Sequence, residues 1–197
     1  MNRLQQWQPR MLLAIAVIML FVMISTAVAL GWQNETWSLI TGDSWEAASA
    51  QHWFGTNQAG MDIFARAMVG SQVSFWIGLQ VMLGALALGF VLGSSAAWWR
   101  AGFWDHTVMW LAAVIDAIPF YLLALAVAYS FQNSAAAVSG ALVTALWPNT
   151  ARLVRAEVLR LRAQDYVAAA RLVGVAEILI IVRHVLPNLT PLLLIQA

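Results

Sequence analysis

The 197-residue sequence contains no cysteine and no lysine. Without thiols, disulfides, zinc–thiolate centres and iron–sulfur ligation are excluded, and all ten basic residues are arginine. Charge of either sign is scarce: charged residues make up 10% of the chain and hydrophobic ones 62%, with a mean hydropathy of +0.75. Soluble globular chains are about a quarter charged and roughly half apolar. This sequence therefore lacks the charge to coat a globule, which excludes a disordered chain, a polybasic nucleic-acid binder and a soluble enzyme of ordinary surface. Lipid must solvate much of it, and the expected fold is all-α, a polytopic bundle of membrane helices.

Met11 to Trp32 is an uncharged run of 22 residues, about 33 Å as a helix, which matches a hydrocarbon core of about 30 Å. Ala27-Val28-Ala29 has the small-residue character of a signal-cleavage site, but the run exceeds the ~7–15 residues of a signal h-region, so an uncleaved anchor is expected. Further spans are expected near 75–98, 107–131 and 134–150, with Ala67 to Ser74 along the interface and a tight turn at Gln132 and Asn133. Leu186 to Ala197 opens a fifth apolar stretch. With the N-terminus cytoplasmic, nine of the ten arginines lie inside and only Arg66 lies outside, among Glu35, Asp43, Glu46 and Asp62; this bias sets the orientation. The chain divides into an N-terminal tip and first span (1–32), an external segment (33–66), and a core (67–197) that includes a cytoplasmic segment (152–185) and the start of a fifth span (186–197).

The cytoplasmic segment reads as helix but not as a span. In Arg152 to Arg162 the helical period sets Arg152, Arg155 and Arg162 on one side and Val154, Val158 and Leu161 on another. Asp165 is placed to cap or start a short helix, Tyr166 to Leu172, because a carboxylate there meets free N–H groups. Gly174 ends it, and a third piece, Ala176 to Val185, leads to Pro187, where the next span begins. Ala168-Ala169-Ala170 forms a surface without bulky side chains. By pattern alone, this segment serves equally as a re-entrant hairpin on its own bundle or as a platform for another protein.

Gln164-Asp165-Tyr166-Val167-Ala168-Ala169-Ala170-Arg171-Leu172-Val173-Gly174, then nine residues, then His184-Val185-Leu186-Pro187-Asn188, resembles the signature loop of ABC importer permeases, Glu-Ala-Ala, three residues, Gly, nine residues, x-x-Leu-Pro. Ala151 to Leu159 resembles the stretch that leads into that loop. His52-Trp53-Phe54-Gly55-Thr56-Asn57-Gln58-Ala59-Gly60-Met61-Asp62 resembles a motif before the second span in the second permease subunit of dipeptide, oligopeptide and nickel importers. The resemblance implies a subunit of the bacterial inner membrane that pairs with a second permease subunit to form the path for peptides or a similar solute. It further implies two cytoplasmic ATP-binding subunits, an external solute-binding protein and alternating access. No bond chemistry, cofactor or metal of its own is implied. Its ATPase-coupling loop falls on Asp165, Tyr166, Ala168, Ala169, Ala170, Arg171, Gly174, Leu186 and Pro187.

The sequence departs from the family pattern at three places. Ala168 replaces the signature glutamate. Asn57, Gln58 and Met61 stand where acidic residues and an arginine are usual. The family typically has six spans, and the sequence ends at the opening of the fifth. A truncated, non-transporting membrane scaffold is accordingly the alternative expectation. Asp116, alone within a span, is read as a structural hydrogen-bonding group or a path-lining one; an intramembrane aspartyl protease would need two such carboxylates. His52, His106 and His184 are scattered and form no metal-ligand pattern. Gly89-x-x-x-Gly93 reads as helix packing. Trp32, Trp53, Trp98, Trp99, Trp104 and Trp147 read as an aromatic belt, and the cytoplasmic arginines as contacts for anionic lipid, with no nucleic-acid surface.

Overall fold

The structure, a computed structural model, describes residues 3–32, 36–130, 134–185 and 187–189. The turn expected at Gln132 and Asn133, and Leu186, lie outside the described residues. The helices are α1 (Arg3–Ala29), α2 (Ile63–Trp98), α3 (Phe103–Ala117), α4 (Phe120–Ser130), α5 (Ala135–Arg162), α6 (Asp165–Leu172) and α7 (Glu177–Ile180), followed by a π-helical turn, Ile181–Val185. Among the described residues, β-structure is confined to two isolated bridges, Ile40 with Met61 and Thr56 with Asp62. Met11–Ala29 and Ile63–Trp98 are long and apolar enough to cross a membrane. The residues expected along an interface, 67–74, belong to α2, whose 36 residues make an unbroken helix of about 54 Å. Residues 1–78 and 79–197 form two compact units.

In the first unit, α1 presents apolar side chains outward between Met11 and Met23, and Ser25 and Val28 are buried. Gln72 donates a long hydrogen bond (3.4 Å) to the Ser25 carbonyl. Between the helices, the 36–62 segment is tied together by polar links. Phe64 gathers Trp32, Trp53 and Phe54 into an aromatic cluster with centroids 4.9–5.9 Å apart. Asp62 caps α2 by accepting from the Ala65 N–H at 3.0 Å, and its other oxygen accepts from His52 Nδ1 at 2.9 Å. Glu46 lies 4.0 Å from the opposite ring nitrogen.

This arrangement is expected to make the stability of the segment depend on pH. The hydrogen bond to Asp62 raises the His52 pKa above its ordinary 6.5, outweighing burial, with the charges of Asp62 and Glu46 adding to it. Burial raises Asp62, but its hydrogen bonds to His52 and to the Ala65 and Phe64 N–H groups hold it below the usual 3.8. The histidine contribution is complete below pH 6.5 and fades as pH rises through the raised value. The aspartate contribution is complete above pH 3.8 and fades as pH falls through the lowered one. Protection of the 36–62 amides from hydrogen exchange is expected to fall as pH rises beyond the histidine range, after correction for intrinsic exchange. His52→Gln should abolish that fall.

In the second unit, α2 and α5 come into backbone contact. A Cβ on Gly93 would lie 2.3 Å from the Ala151 carbonyl oxygen, and one on Gly89 would lie 2.5 Å from Thr150 Cβ. The Gly89-x-x-x-Gly93 spacing is thus a packing device. One buried cluster joins Ala96, Val108, Ala112, Trp147 and Ala151. Trp147 is only 4% exposed and belongs to this core rather than to an aromatic belt, because the small residues Ala112 and Ala151 leave room for its ring. A second cluster joins Ala97, Val154, Val158, Leu161, Val185 and Leu189.

Within the run 107–131, expected as a single span, the described residues form two helices, α3 and α4. Pro119 has no N–H to donate and disfavours helical backbone at the preceding residue. Ile118 is accordingly extended, with φ −86° and ψ 125°. The Ile118 N–H turns back to the Ile115 carbonyl, and α4 restarts with bonds from Leu122 and Leu123 to the Pro119 carbonyl. Pro148, inside α5, leaves that helix continuous.

Candidate functional site

The segment that carries the signature pattern folds as a hairpin of α5, α6 and α7. Ser134 begins α5 by accepting from the Ala137 N–H at 3.2 Å. Val154, Val158 and Leu161 are all buried, as the amphipathic period requires. The arginines on the other side are engaged. Arg155 makes a two-pronged ion pair with Asp105 of α3, Nε to Oδ1 at 2.6 Å and Nη2 to Oδ2 at 2.7 Å. Arg152 pairs with Asp116. Arg162 donates from one nitrogen to the Ala97 and Trp98 carbonyls at 2.6 and 2.7 Å. A cation there meets the free carbonyls at the negative end of α2. Its guanidinium also lies 4.6 Å from the Trp98 ring centroid, and that of Arg171 lies 5.9 Å away.

Asp165 is the first residue of α6 rather than its cap; Gln164 occupies the cap position in extended backbone and makes no side-chain cap bond. The Asp165 carboxylate therefore faces the positive helix end from within the first turn. Val167 is fully buried and Arg171 partly so, which gives α6 an inner side. Tyr166, Ala168 and Ala169 are exposed, Ala170 is half-buried, and Leu172 and Val173 are 89% and 82% exposed. The helix ends in a glycine-dependent cap. The Gly174 N–H bonds to the Arg171 carbonyl and the Val175 N–H to the Ala170 carbonyl, with Gly174 in the left-handed region at φ +81°. Another L-residue there would cost ~1–2 kcal/mol from its Cβ.

The return arm differs from the uniform helix expected over Ala176 to Val185. After α7 the chain widens into the π-helical turn. Ile180, Val185 and Leu189 are all buried. Five residues of α-helix would set Ile180 and Val185 about 140° apart; the wider turn brings them back to one side. Pro187 follows, exposed, and the side chain of His184 lies outside the described residues.

The structure thus brings Asp165, Tyr166, Ala168, Ala169, Ala170 and Arg171 together in α6 with Gly174 in the turn that ends it, and it sets Asp116 apart against Arg152. Sequence reading missed the Asp105–Arg155 pair, whose partners are separated by 50 residues; an apolar helix period carries no signal for which charge meets which. Among the described residues, no three His, Asp or Glu side chains converge as metal ligands do.

Residues 89–197 match the family model described as binding-protein-dependent transport system inner membrane component. A Brucella suis (biovar 1, strain 1330) protein named as a peptide transport system permease is 37% identical over 182 residues, covering 91% of this chain and 61% of the relative. The oligopeptide transport system permease protein OppC of Bacillus subtilis (strain 168) is 30% identical over 176 residues, 89% of this chain and 57% of the relative. The glutathione transport system permease protein GsiD of Escherichia coli O6:K15:H31 is 36% identical over 140 residues, 71% of this chain and 46% of the relative. The chain therefore spans at most 61% of the length of these curated relatives. Together with its apolar helices, these matches make it a membrane protein of the binding-protein-dependent transport system inner membrane component family, the ABC importer permeases, in the peptide branch of that family.

Proposed function

We propose that this chain is a permease subunit that carries peptides or a similar solute across the bacterial inner membrane and takes its energy from separate ATP-binding subunits through α6. The N-terminus lies in the cytoplasm, α1, α2, α3 with α4, and α5 span the bilayer, and the hairpin after Arg152 is cytoplasmic. A second permease subunit completes the path, and an external solute-binding protein delivers the solute. Closure of two ATP-binding subunits around ATP moves α6, and α5 carries that movement into the membrane, so that the path opens to one side at a time. Hydrolysis belongs to the ATP-binding subunits.

The observation that supports this reading best is the outer side of α6. A helix anchored by Val167 and Arg171 leaves Leu172 and Val173 almost wholly bare beside the small residues Ala168 and Ala169. Exposed apolar side chains grouped beside a bulk-free surface suit insertion into a cleft of another protein. Ala168, in place of the signature glutamate, leaves that contact dominated by apolar packing.

Affinity capture of the tagged chain from gently solubilised membranes tests the reading. An ATP-binding subunit and a second permease are expected to come with it. Ala169→Trp and Gly174→Pro should each release the ATP-binding subunit while the second permease stays bound, and peptide uptake should cease with it. Capture of the second permease alone by the unaltered chain would favour a non-transporting scaffold.

A further inference from the structure

We propose that Asp116 and Arg152 form a charged contact in the wall of the translocation path, Asp116 for the ammonium end of a peptide and Arg152 for its carboxylate end. This inference rests on the permease reading above. It begins from a contrast between two ion pairs joining the same two helices, α3 and α5. In the Asp105–Arg155 pair the side chains are 5% and 28% exposed, and in the Asp116–Arg152 pair they are 40% and 42% exposed. The first pair is packed in; the second stands open.

Its position makes that openness informative. Asp116 lies one helical turn beyond Ala112, which packs in the buried cluster with Trp147 and Ala151. On the permease reading it lies within the apolar run that crosses the membrane, where a charged group open to hydrocarbon is expensive and such residues face a bundle interior or water. It also adjoins the break in the span: α3 ends at Ala117, Ile118 is extended, and α4 restarts at Phe120. Interrupted backbone at membrane depth is tolerated where it is buried in protein or lines a water-filled cavity. A carboxylate in the last turn of α3 also sits at the negative end of that helix. Asp116 therefore depends on a cation: Arg152 at rest, and a substrate ammonium when one arrives. The guanidinium released by that exchange presents a planar fork suited to a carboxylate. Peptides carry both groups.

The absence of cysteine from this sequence allows a direct test in the complete transporter, assembled with cysteine-free partners in liposomes. Asp116→Cys places a thiol at the pair. Ala113→Cys places one on the same exposed side of α3 without disturbing the pair, and Ala112→Cys provides a buried control. The cationic probe methanethiosulfonate ethyltrimethylammonium is expected to label the thiols at 113 and 116 but not at 112, and saturating trialanine should slow the labelling at 113, where the pair is intact. Arg152→Gln should lower uptake of trialanine by about tenfold, as for loss of one charge-assisted hydrogen bond, while uptake of trialanine amide changes little. Thiols at both exposed positions that stay unlabelled, or a thiol at 113 that reacts at the same rate with and without trialanine, would overturn the proposal. So would equal loss of uptake for the two peptides in Arg152→Gln, which would mark the pair as a structural tie. Each variant is checked for the bound ATP-binding subunit: an Ala113→Cys transporter that retains it and lacks substrate protection counts against the pair alone, whereas one that never binds it counts against the permease reading.

Discussion

Gly93→Leu is expected to destabilise the second unit by about 3 kcal/mol, the upper part of the usual range for overpacking. The reason is geometric. The space a Cβ would take on Gly93 is already held by the Ala151 carbonyl, 2.3 Å away, with the Ala151 Cα and carbonyl carbon at 3.0 Å. These are backbone atoms inside a helix, so they cannot rotate aside as the end of a side chain would; α5 itself must move. Ala96, Val108, Ala112, Trp147 and Ala151 share a cluster at this crossing, and displacement of α5 opens it. Gly140→Leu provides the contrast, because Gly140 is also helical but has nothing within 4 Å of its added Cβ. That substitution should stabilise by ~0.5–1 kcal/mol from helix propensity. Thermal unfolding in detergent should separate the two variants by roughly 7–16 °C, at about 2–4 °C per kcal/mol for a chain of this size. Equal melting would mean that α2 and α5 do not meet through these glycines.

The second large effect is expected at Arg155. Arg155→Ala strands the Asp105 carboxylate, whose side chain is 5% exposed, with the Ala101 N–H at 3.2 Å as its remaining polar contact. Breaking one side of a buried pair costs ~3–5 kcal/mol; the partial exposure of Arg155, at 28%, places this case at about 3. Two further variants identify the cause. Arg155→Lys should recover less than half of the loss, because an ammonium cannot reproduce the two-pronged contact. The double substitution Asp105→Leu with Arg155→Met should cost less than Arg155→Ala alone, since no buried charge is then left unpaired. Urea or thermal unfolding of the four proteins measures this directly. If the double variant were the least stable, the pair's own attraction, rather than the stranded charge, would govern the site.

The predictability of this structure varies by feature for physical reasons. The apolar side of α5, Val154, Val158 and Leu161, follows from a period of 3.6, and the structure buries all three. Gly174 ends α6 because the cap requires a left-handed residue, a demand that glycine announces locally. Gly89 and Gly93 declare close packing by their spacing. The break at Pro119 was less legible, because helices in lipid tolerate proline, and Pro148 lies inside α5 without breaking it. An apolar run does not distinguish one helix from two. The π-helical turn after Ile180 follows from keeping Ile180, Val185 and Leu189 on one buried side, a tertiary demand invisible to local periodicity. Charge partners were the least legible. Arg152, Arg155 and Arg162 share a helix side in the sequence, yet each meets a different acceptor, Asp116, Asp105 or the end of α2. Their reach is set by where α2 and α3 cross α5, which no single segment specifies.

Site-specific photo-cross-linking from α6 tests the central claim most directly. A photoreactive amino acid at Leu172, 89% exposed, should attach the chain to an ATP-binding subunit in intact membranes, and the same probe at Ala169 should do so more weakly because its bulk crowds the cleft. At Leu153, which is also exposed but on α5, it should give no such product. Cross-linking from Leu172 that depends on nucleotide would establish α6 as the point where ATP-driven movement enters the membrane subunit. Products from Leu172 that contain only lipid or this chain itself would contradict the account.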